Sequence, residues 1–217
     1  MTDKIEATEY REFLEQFGGH ELTVLHNDDD YRHLRMRARD EDGGLNLLLG
    51  YDVVTWPGAL AVSGDALPEG AEGVIFSRLR DPIEFFTVPP SGLGPSGPDI
   101  DYAHWVEKLR GPAQTIGFEH DPSLFLASVR RHLAEHVADG ELSVVDAERI
   151  AADAENHQYN EDDAYAWLDL GPQKELFPDA WEYNFRSPSK DVKNLCRRVE
   201  LAVRKYNDWL KSDACHD

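Results

Sequence analysis

The chain has 217 residues, an ordinary hydrophobic fraction of 41% and a formal net charge of −20 at pH 7. This length allows one or two domains, and this composition excludes wholesale disorder. No apolar run approaches the ~20 residues that a membrane span needs, and the scattered charges of the first residues predict no secretory signal.

The negative charge is spread over both halves of the chain. A field of this sign repels nucleic acid, so generic DNA or RNA binding is not expected. Two interpretations of the charge stay open: an acidic source proteome, or a carboxylate surface that imitates nucleic acid. Cys196 and Cys215 form neither a C-x-x-C pair nor a disulfide framework, which favours a reducing, cytoplasmic compartment.

The first ninety residues predict a leading helix followed by an antiparallel β-meander. Apolar residues recur at helical spacing over residues 5–17, and Gly18-Gly19 ends that helix. Period-two alternation then predicts strands around residues 22–24 and over residues 34–39, 45–56, 59–63 and 73–79.

Turn residues separate these strands. Residues 27–30 and 40–44 predict turns, and Gly50 predicts a bulge, because the apolar run 45–56 is long for one flat strand. Pro57-Gly58 suits the centre of a type II turn. That turn twists poorly against a tight hairpin, so we expect a wider connection there.

Helices are predicted after the meander. Asp81-Pro82 begins a short helix, and residues 89–99 form a Pro/Gly/Ser loop. Further helices are predicted over residues 102–110, from Asp121-Pro122 to Gly140, from Ser143 to about residue 157, and from Ser187-Pro188 to about residue 211. The predicted fold class is α+β: an N-terminal antiparallel meander with a leading helix, packed against a C-terminal set of helices. We expect one domain over residues 1–217, with sheet in 1–88, the loop in 89–99 and helices in 100–217.

The terminal helix carries a continuous apolar stripe, made by Val192, Leu195, Val199, Ala202, Val203, Tyr206 and Leu210. Its basic residues, Arg198 among them, outnumber its acidic ones, whereas the preceding segment is strongly acidic. We expect the stripe to be buried and the basic flanks to lie over acidic neighbours.

The sequence His132-Leu133-Ala134-Glu135-His136 has the H-x-x-E-H spacing of inverted zincin metalloproteases. Its context argues against a metal, because Leu133 and Val137 define the buried face and place both histidines on a solvated flank. We therefore predict a charged helix surface with no metal and no other cofactor.

An arginine stripe marks the second predicted strand. Leu34, Met36 and Ala38 fall on one face, and His33, Arg35, Arg37 and Arg39 fall on the other. Arginine presents a planar fork that suits carboxylate or phosphate. Arg35, Arg37 and Arg39 therefore pair either with carboxylates of the same chain or with an anionic ligand or partner.

Several spaced motifs resemble a family of bacteriophage-encoded proteins of unknown function. They are Tyr51-Asp52-Val53-Val54-Thr55-Trp56-Pro57-Gly58, Ser63-Gly64-Asp65, Phe76-Ser77-Arg78-Leu79 with Asp81 and Glu84-Phe85-Phe86, and the later Tyr102, Trp105 and Glu107-Lys108-Leu109. The resemblance implies a phage or prophage origin and hence the host cytoplasm. It brings no known reaction.

Asp65, Ser77 and Arg78 carry polar groups that packing does not require. If strands 59–64 and 73–79 pair, these residues form either an Asp–Arg brace of a turn or a polar ligand site.

Together these observations predict a non-enzymatic accessory protein with no catalytic residues, which binds a host protein or a small anionic ligand. Counter-defence is one role that the resemblance suggests. The alternative is an enzyme that uses the arginine strand to act on a phosphorylated small molecule such as a nucleotide.

Overall fold

The computed structural model describes residues 2–39, 44–67, 73–94, 97–111 and 117–213. The predicted turn at residues 40–44, the loop at 89–99 and Cys215 lie wholly or partly outside these residues. The described residues form an α+β protein, as predicted. No helix in them combines the length and the apolar composition that crossing a membrane requires.

The chain divides into two compact units. The first comprises Met1–Gly117 and Ser189–Asp217, and the second comprises Phe118–Pro188. The prediction of one domain over residues 1–217 stays a prediction, because compactness does not measure the cooperativity of unfolding.

The described residues form β-strands and α-helices of very different length. In chain order they are α1 Thr2–Phe17, β1 Glu21–Asp28, β2 Tyr31–Arg39, β3 Leu45–Trp56, β4 Ala59–Ser63, β5 Gly73–Ser77, α2 Pro82–Phe86, β6 Leu93–Gly94, β7 Gly97–Pro98, α3 Tyr102–Val106, β8 Leu109–Arg110, β9 Phe118–His120, α4 Pro122–Ala138, α5 Val144–Ala154, α6 Glu161–Leu168, α7 Gly171–Leu176, β10 Arg186–Pro188 and α8 Lys190–Asp213.

The first unit is built on a sheet of strand order β1-β2-β3-β4-β5-β8, in which all neighbours are antiparallel. The predicted meander is therefore confirmed. The predicted helix over residues 102–110 is wrong at its end, because α3 stops at Val106 and Leu109 pairs with Phe76. Leu109 is fully buried and extends the apolar face of the sheet, which explains why it joins a strand.

One face of the sheet, called the inner face here, carries the core of the first unit. Alternate residues along each strand point to it, as the two-residue repeat requires. They include Leu34, Met36, Tyr51, Val53, Leu60, Val62, Val74 and Phe76, all of which are essentially inaccessible to solvent.

Helix α8 packs on the inner face, as its apolar stripe predicts. Val192, Leu195, Val199 and Tyr206 are buried, whereas Leu210 at the end of the predicted stripe is 38% exposed. The Tyr51 hydroxyl donates to the Arg198 carbonyl at 3.0 Å, which ties the sheet to the helix.

The start of α8 differs from the prediction. Ser187 and Pro188 lie in β10, where they pair with β9. The cap is Ser189, whose Oγ accepts a hydrogen bond from the Val192 amide at 3.2 Å. A serine two residues later thus performs the capping that the Ser187-Pro188 pair suggested.

The prediction that Arg198 lies on a basic flank over acidic neighbours is also wrong. Helix α8 is buried on every side from Leu195 to Val203, and Arg198 is only 7% exposed. Its guanidinium lies 4.5 Å from the centre of the Phe17 ring at the end of α1. The apolar stripe of α8 predicts that only one side of this helix is buried. Helix α1 also packs against the side of α8 that carries Arg198.

Two turn predictions have opposite outcomes. The bulge at Gly50 is confirmed, since the β2–β3 register shifts between Met36 and Ala38 and Leu49 adopts a φ of +60°. The wide connection at Pro57-Gly58 is wrong, because Trp56 pairs directly with Ala59. Gly58 supplies the positive φ of a type II turn, +82°, and its carbonyl accepts a hydrogen bond from the Leu79 amide at 3.1 Å.

The second unit has its own helical core. Its buried residues include Phe125, Val129, Leu133, Ile150, Trp167, Leu168, Phe177 and Phe185. The predicted caps are confirmed: Asp121 accepts from the Ser123 amide, and Ser143 accepts from the Asp146 amide. Helices α6 and α7 lack a strong apolar period, and the sequence did not predict them.

We expect Leu195→Ala to lower the free energy of unfolding by about 2–5 kcal/mol, because it leaves a cavity against the inner face. Leu210→Ala on the same helix is the matched control, and its cost should stay below about 1 kcal/mol because the side chain is partly exposed. Denaturant unfolding of both variants measures this difference. Equal effects would contradict the burial of Leu195 and the partial exposure of Leu210.

Candidate functional site

Three basic side chains of β2 converge on one carboxylate of β3. Arg35 binds Asp52 with two hydrogen bonds, Nε to Oδ1 at 3.1 Å and Nη2 to Oδ2 at 2.9 Å. The Arg37 Nη2 lies 3.2 Å from Oδ1, and the His33 Nε2 lies 2.9 Å from Oδ2. We call His33, Arg35, Arg37 and Asp52 the arginine cluster.

The register of the sheet builds this cluster. Arg35 is the direct cross-strand partner of Asp52, so their side chains share the outer face of the sheet, opposite to α8. Outer-face residues such as Thr23, His26, Ser63 and Ile75 are exposed, which leaves this face open to solvent. The cluster therefore lies on the accessible side of a sheet whose other side is the core.

Gly50 gives Arg37 its position. A Cβ atom on Gly50 would lie 2.5 Å from the Arg37 Cδ and 2.6 Å from its Nε. A Cβ atom at this position would therefore displace the Arg37 side chain from the place where it reaches Asp52. The bulge that the sequence predicts at Gly50 thus has a second role in the site.

The electrostatics of the cluster favour an ionised Asp52. Burial of Asp52 opposes ionisation, but hydrogen bonds from Arg35 and His33 and the charges of Arg37 and Arg35 outweigh it and lower its pKa. The hydrogen bonds and charge of Asp52 in turn raise the pKa of Arg35. One carboxylate faces two guanidinium groups, so the cluster carries an excess positive charge even with His33 neutral.

A pocket of about 310 Å³ lies beside the cluster and shares His33 with it. Its other lining residues include His26, Asp28, Tyr31 and Arg32. The side chain of Arg35 is 40% exposed, and only two of its five N–H groups bind Asp52. The remaining N–H groups make no hydrogen bond with the described residues and can bind a further oxygen of an anion.

Arg39 does not join the cluster. Its Nε binds the Glu21 carboxylate at 2.8 Å, and both side chains are 53% exposed. The predicted stripe therefore separates into two residues around Asp52 and one surface ion pair. Arg39 fits the interpretation in which the stripe pairs with carboxylates of the same chain. Arg35 and Arg37 fit it only in part, because they share one carboxylate and can also bind an anionic ligand or partner.

The structure does not bring Asp65, Ser77 and Arg78 together. Strands β4 and β5 pair as predicted, but Ser63 opposes Gly73 and Ser77 opposes Ala59. Asp65 therefore lies beyond one end of the pair and Arg78 lies beyond the other, and these two ends are themselves ~13 Å apart along the strands. This register excludes both the Asp65–Arg78 brace and a ligand site shared by the three residues.

His132 and His136 are both engaged within the second unit. The His132 ring nitrogens contact the Ser128 carbonyl and the Tyr183 hydroxyl, each at 3.0 Å. The His136 ring contacts Glu141 at 2.7 Å and the Leu176 carbonyl at 3.0 Å. The hydrogen bond to Glu141, followed by that to Leu176, raises the pKa of His136 and favours the imidazolium form, which does not bind a metal.

The described residues contain no group of three or more His, Cys, Asp or Glu side chains placed to hold a metal ion. The expectation that the chain uses no metal stays a prediction.

Sequence reasoning missed Asp52 and Gly50 as parts of the site and gave His33 no role. A signal for Asp52 was present, since it is the only charged residue in β3 and interrupts an apolar run. Placing it opposite Arg35 needs the register of β2 on β3, and the bulge at Gly50 shifts that register.

Comparison of this chain with models of protein families, with characterised proteins and with solved structures finds no match. The resemblance to a phage-encoded family therefore stays a prediction.

We expect Asp52→Asn to lower the free energy of unfolding at neutral pH by about 1–3 kcal/mol, because the guanidinium groups lose an ionised acceptor. The lowered pKa of Asp52 means that its contribution is complete above the ordinary carboxyl pKa and is lost as the pH falls through the folded value. The difference from the wild type should shrink over that acidic range.

Denaturant unfolding at a series of pH values measures this effect. Asp65→Asn removes the same charge from an exposed site and should leave the stability almost unchanged. A pH-independent difference for Asp52→Asn would show that the carboxylate charge does not hold the cluster.

Proposed function

We propose that this chain is a non-enzymatic accessory protein of the phage or prophage type that acts in the host cytoplasm. It binds an anionic group, a phosphate or a carboxylate on a host protein or small molecule, through the arginine cluster. The observation that carries the proposal is that two guanidinium groups face one carboxylate on an open sheet face, which leaves an excess of one positive charge.

The excess positive charge of the arginine cluster stands out because the chain as a whole is strongly negative. A chain with a net charge of −20 repels anions at long range, so an anion binds only where short-range donors overcome that field. Arg35 and Arg37 supply such donors, Asp52 orients both of them, and Gly50 leaves room for the Arg37 side chain. Preorganised arginine forks bind oxyanions with less loss of side-chain entropy than free ones.

Binding accounts for the cluster better than catalysis does. Both Asp52 oxygens already accept charged hydrogen bonds, and its lowered pKa makes it a weak general base. No observation in the described residues favours the alternative, an enzyme that acts on a phosphorylated small molecule. The phage origin and a counter-defence role rest on the sequence resemblance.

We expect calorimetry at low salt to detect binding of at least one of pyrophosphate, citrate and ATP. Arg35→Gln and Arg37→Gln should each weaken that binding by about tenfold or more, because each removes a charged hydrogen-bond donor. Arg80→Gln, which removes an equal charge from an exposed position in the same unit, should bind like the wild type. Phosphorus NMR of the ATP sample should show no turnover.

A host-protein partner is tested in the same way. A protein retained from a bacterial host lysate by the wild type should be lost with the Arg35→Gln/Arg37→Gln double variant and kept with Arg80→Gln. The proposal fails if no probe or host protein distinguishes these variants. ATP turnover that depends on Arg35 would instead establish the enzymatic alternative.

A further inference from the structure

The second unit contains a cleft with aromatic walls that its fold does not fill. The cleft has a volume of about 910 Å³ and lies between α6, α7 and the turn that follows α7. Tyr165, Phe177 and Trp181 are its aromatic residues. Phe177 is buried in the unit's core, whereas Trp181 is 75% exposed, a high value for the largest apolar side chain.

The polar groups of the cleft are mainly acidic. Its charged residues are Asp169, Lys174 and Asp179. The Lys174 ammonium lies 2.8 Å from the Asp169 carboxylate, so these two charges neutralise each other. The Asp179 carboxylate makes no hydrogen bond or ion pair with the described residues, which leaves one negative charge at the cleft without a partner.

The unit that contains the cleft also has a negative net charge. Residues 118–188 carry sixteen acidic and five basic side chains, a net charge of −11 with histidine neutral. This charge repels an anionic ligand and attracts a cationic one. The charge of the second unit is thus opposite to that of the arginine cluster in the first.

Aromatic faces beside a carboxylate are the chemistry that recognises a cationic side chain. The ring quadrupole attracts a guanidinium or ammonium, and the carboxylate adds a charged hydrogen bond. We propose that this cleft binds an arginine or lysine side chain presented by a basic segment of a partner protein, between the Trp181 ring and the Asp179 carboxylate. This site shares no residue with the arginine cluster. If the cleft does not bind a basic segment, the proposal that the arginine cluster binds an anion still stands.

The position of Trp181 agrees with such a role. It lies in a short turn of 3-10 helix, Ala180–Glu182, that follows Asp179, whose φ is +57°. Because most of the Trp181 indole is exposed, it contributes little to the stability of its own unit, and its ring is available to a partner. Removing it should therefore change binding and leave folding intact.

The test uses a short blocked peptide that alternates arginine and glycine, labelled with fluorescein, and its citrulline counterpart with the same shape and no charge. Fluorescence anisotropy with the full chain should show binding of the arginine peptide and no binding of the citrulline peptide. Trp181→Ala and Asp179→Asn should each weaken the arginine peptide's affinity by about tenfold, the loss expected for a partly desolvated cation–π or charged contact.

Two matched variants separate the cleft from general electrostatic attraction. Tyr159→Ala removes an exposed aromatic ring, and Glu175→Gln removes an exposed carboxylate, both from the second unit and outside the cleft. Both should bind the arginine peptide within about twofold of the wild type. Equal losses in all four variants, or binding of neither peptide, would overturn the proposal.

Self-association is the remaining outcome, since the first unit also carries exposed arginines. Sedimentation velocity of the wild type should show no concentration-dependent association that Trp181→Ala removes. Association of that kind would identify a second copy of this chain as the occupant and overturn the proposed partner.

Discussion

The packing of α8 against one face of the sheet is the constraint on which the first unit depends. Leu195, Val199 and Tyr206 of α8 are buried, and the Tyr51 hydroxyl of the inner face donates a hydrogen bond to the helix backbone. Since side chains alternate along a strand, burying one set fixes the direction of the other. A slip of one residue would place the arginines in the core, where their desolvation would be prohibitive.

The open outer face follows from the same constraint. Arg35 and Asp52 meet there because their strands are held in register by residues on the opposite face, and Gly50 admits Arg37 to the same carboxylate. A single ion pair on a surface contributes little to stability. Two guanidinium groups around one carboxylate instead leave unbalanced positive charge in a fixed geometry, which is a feature suited to binding an anion.

The sequence predicted the elements that local chemistry controls and missed those that tertiary packing controls. The strand alternation of Leu34 and Met36, the bulge at Gly50 and the cap at Asp121 all depend on nearby residues, and all are confirmed. The strand at Leu109 and the buried position of Arg198 depend on partners distant in the chain, Phe76 and Phe17.

The site shows the same division. The arginine stripe was visible as a period-two pattern, whereas its carboxylate partner needed the register of the neighbouring strand. Asp65 and Arg78 were grouped because they lie in adjoining motifs, and the antiparallel pairing of β4 and β5 places them at opposite ends.

The most direct test of the central claim is NMR observation of the arginine Nε–H signals during titration with pyrophosphate. We expect saturable shifts of the Arg35 and Arg37 signals, with little change for Arg39, which lies outside the cluster and pairs with Glu21. Uniform shifts of all exposed arginines, or no saturation, would contradict the claim that Asp52 and Gly50 hold two arginines in a geometry that binds an anion.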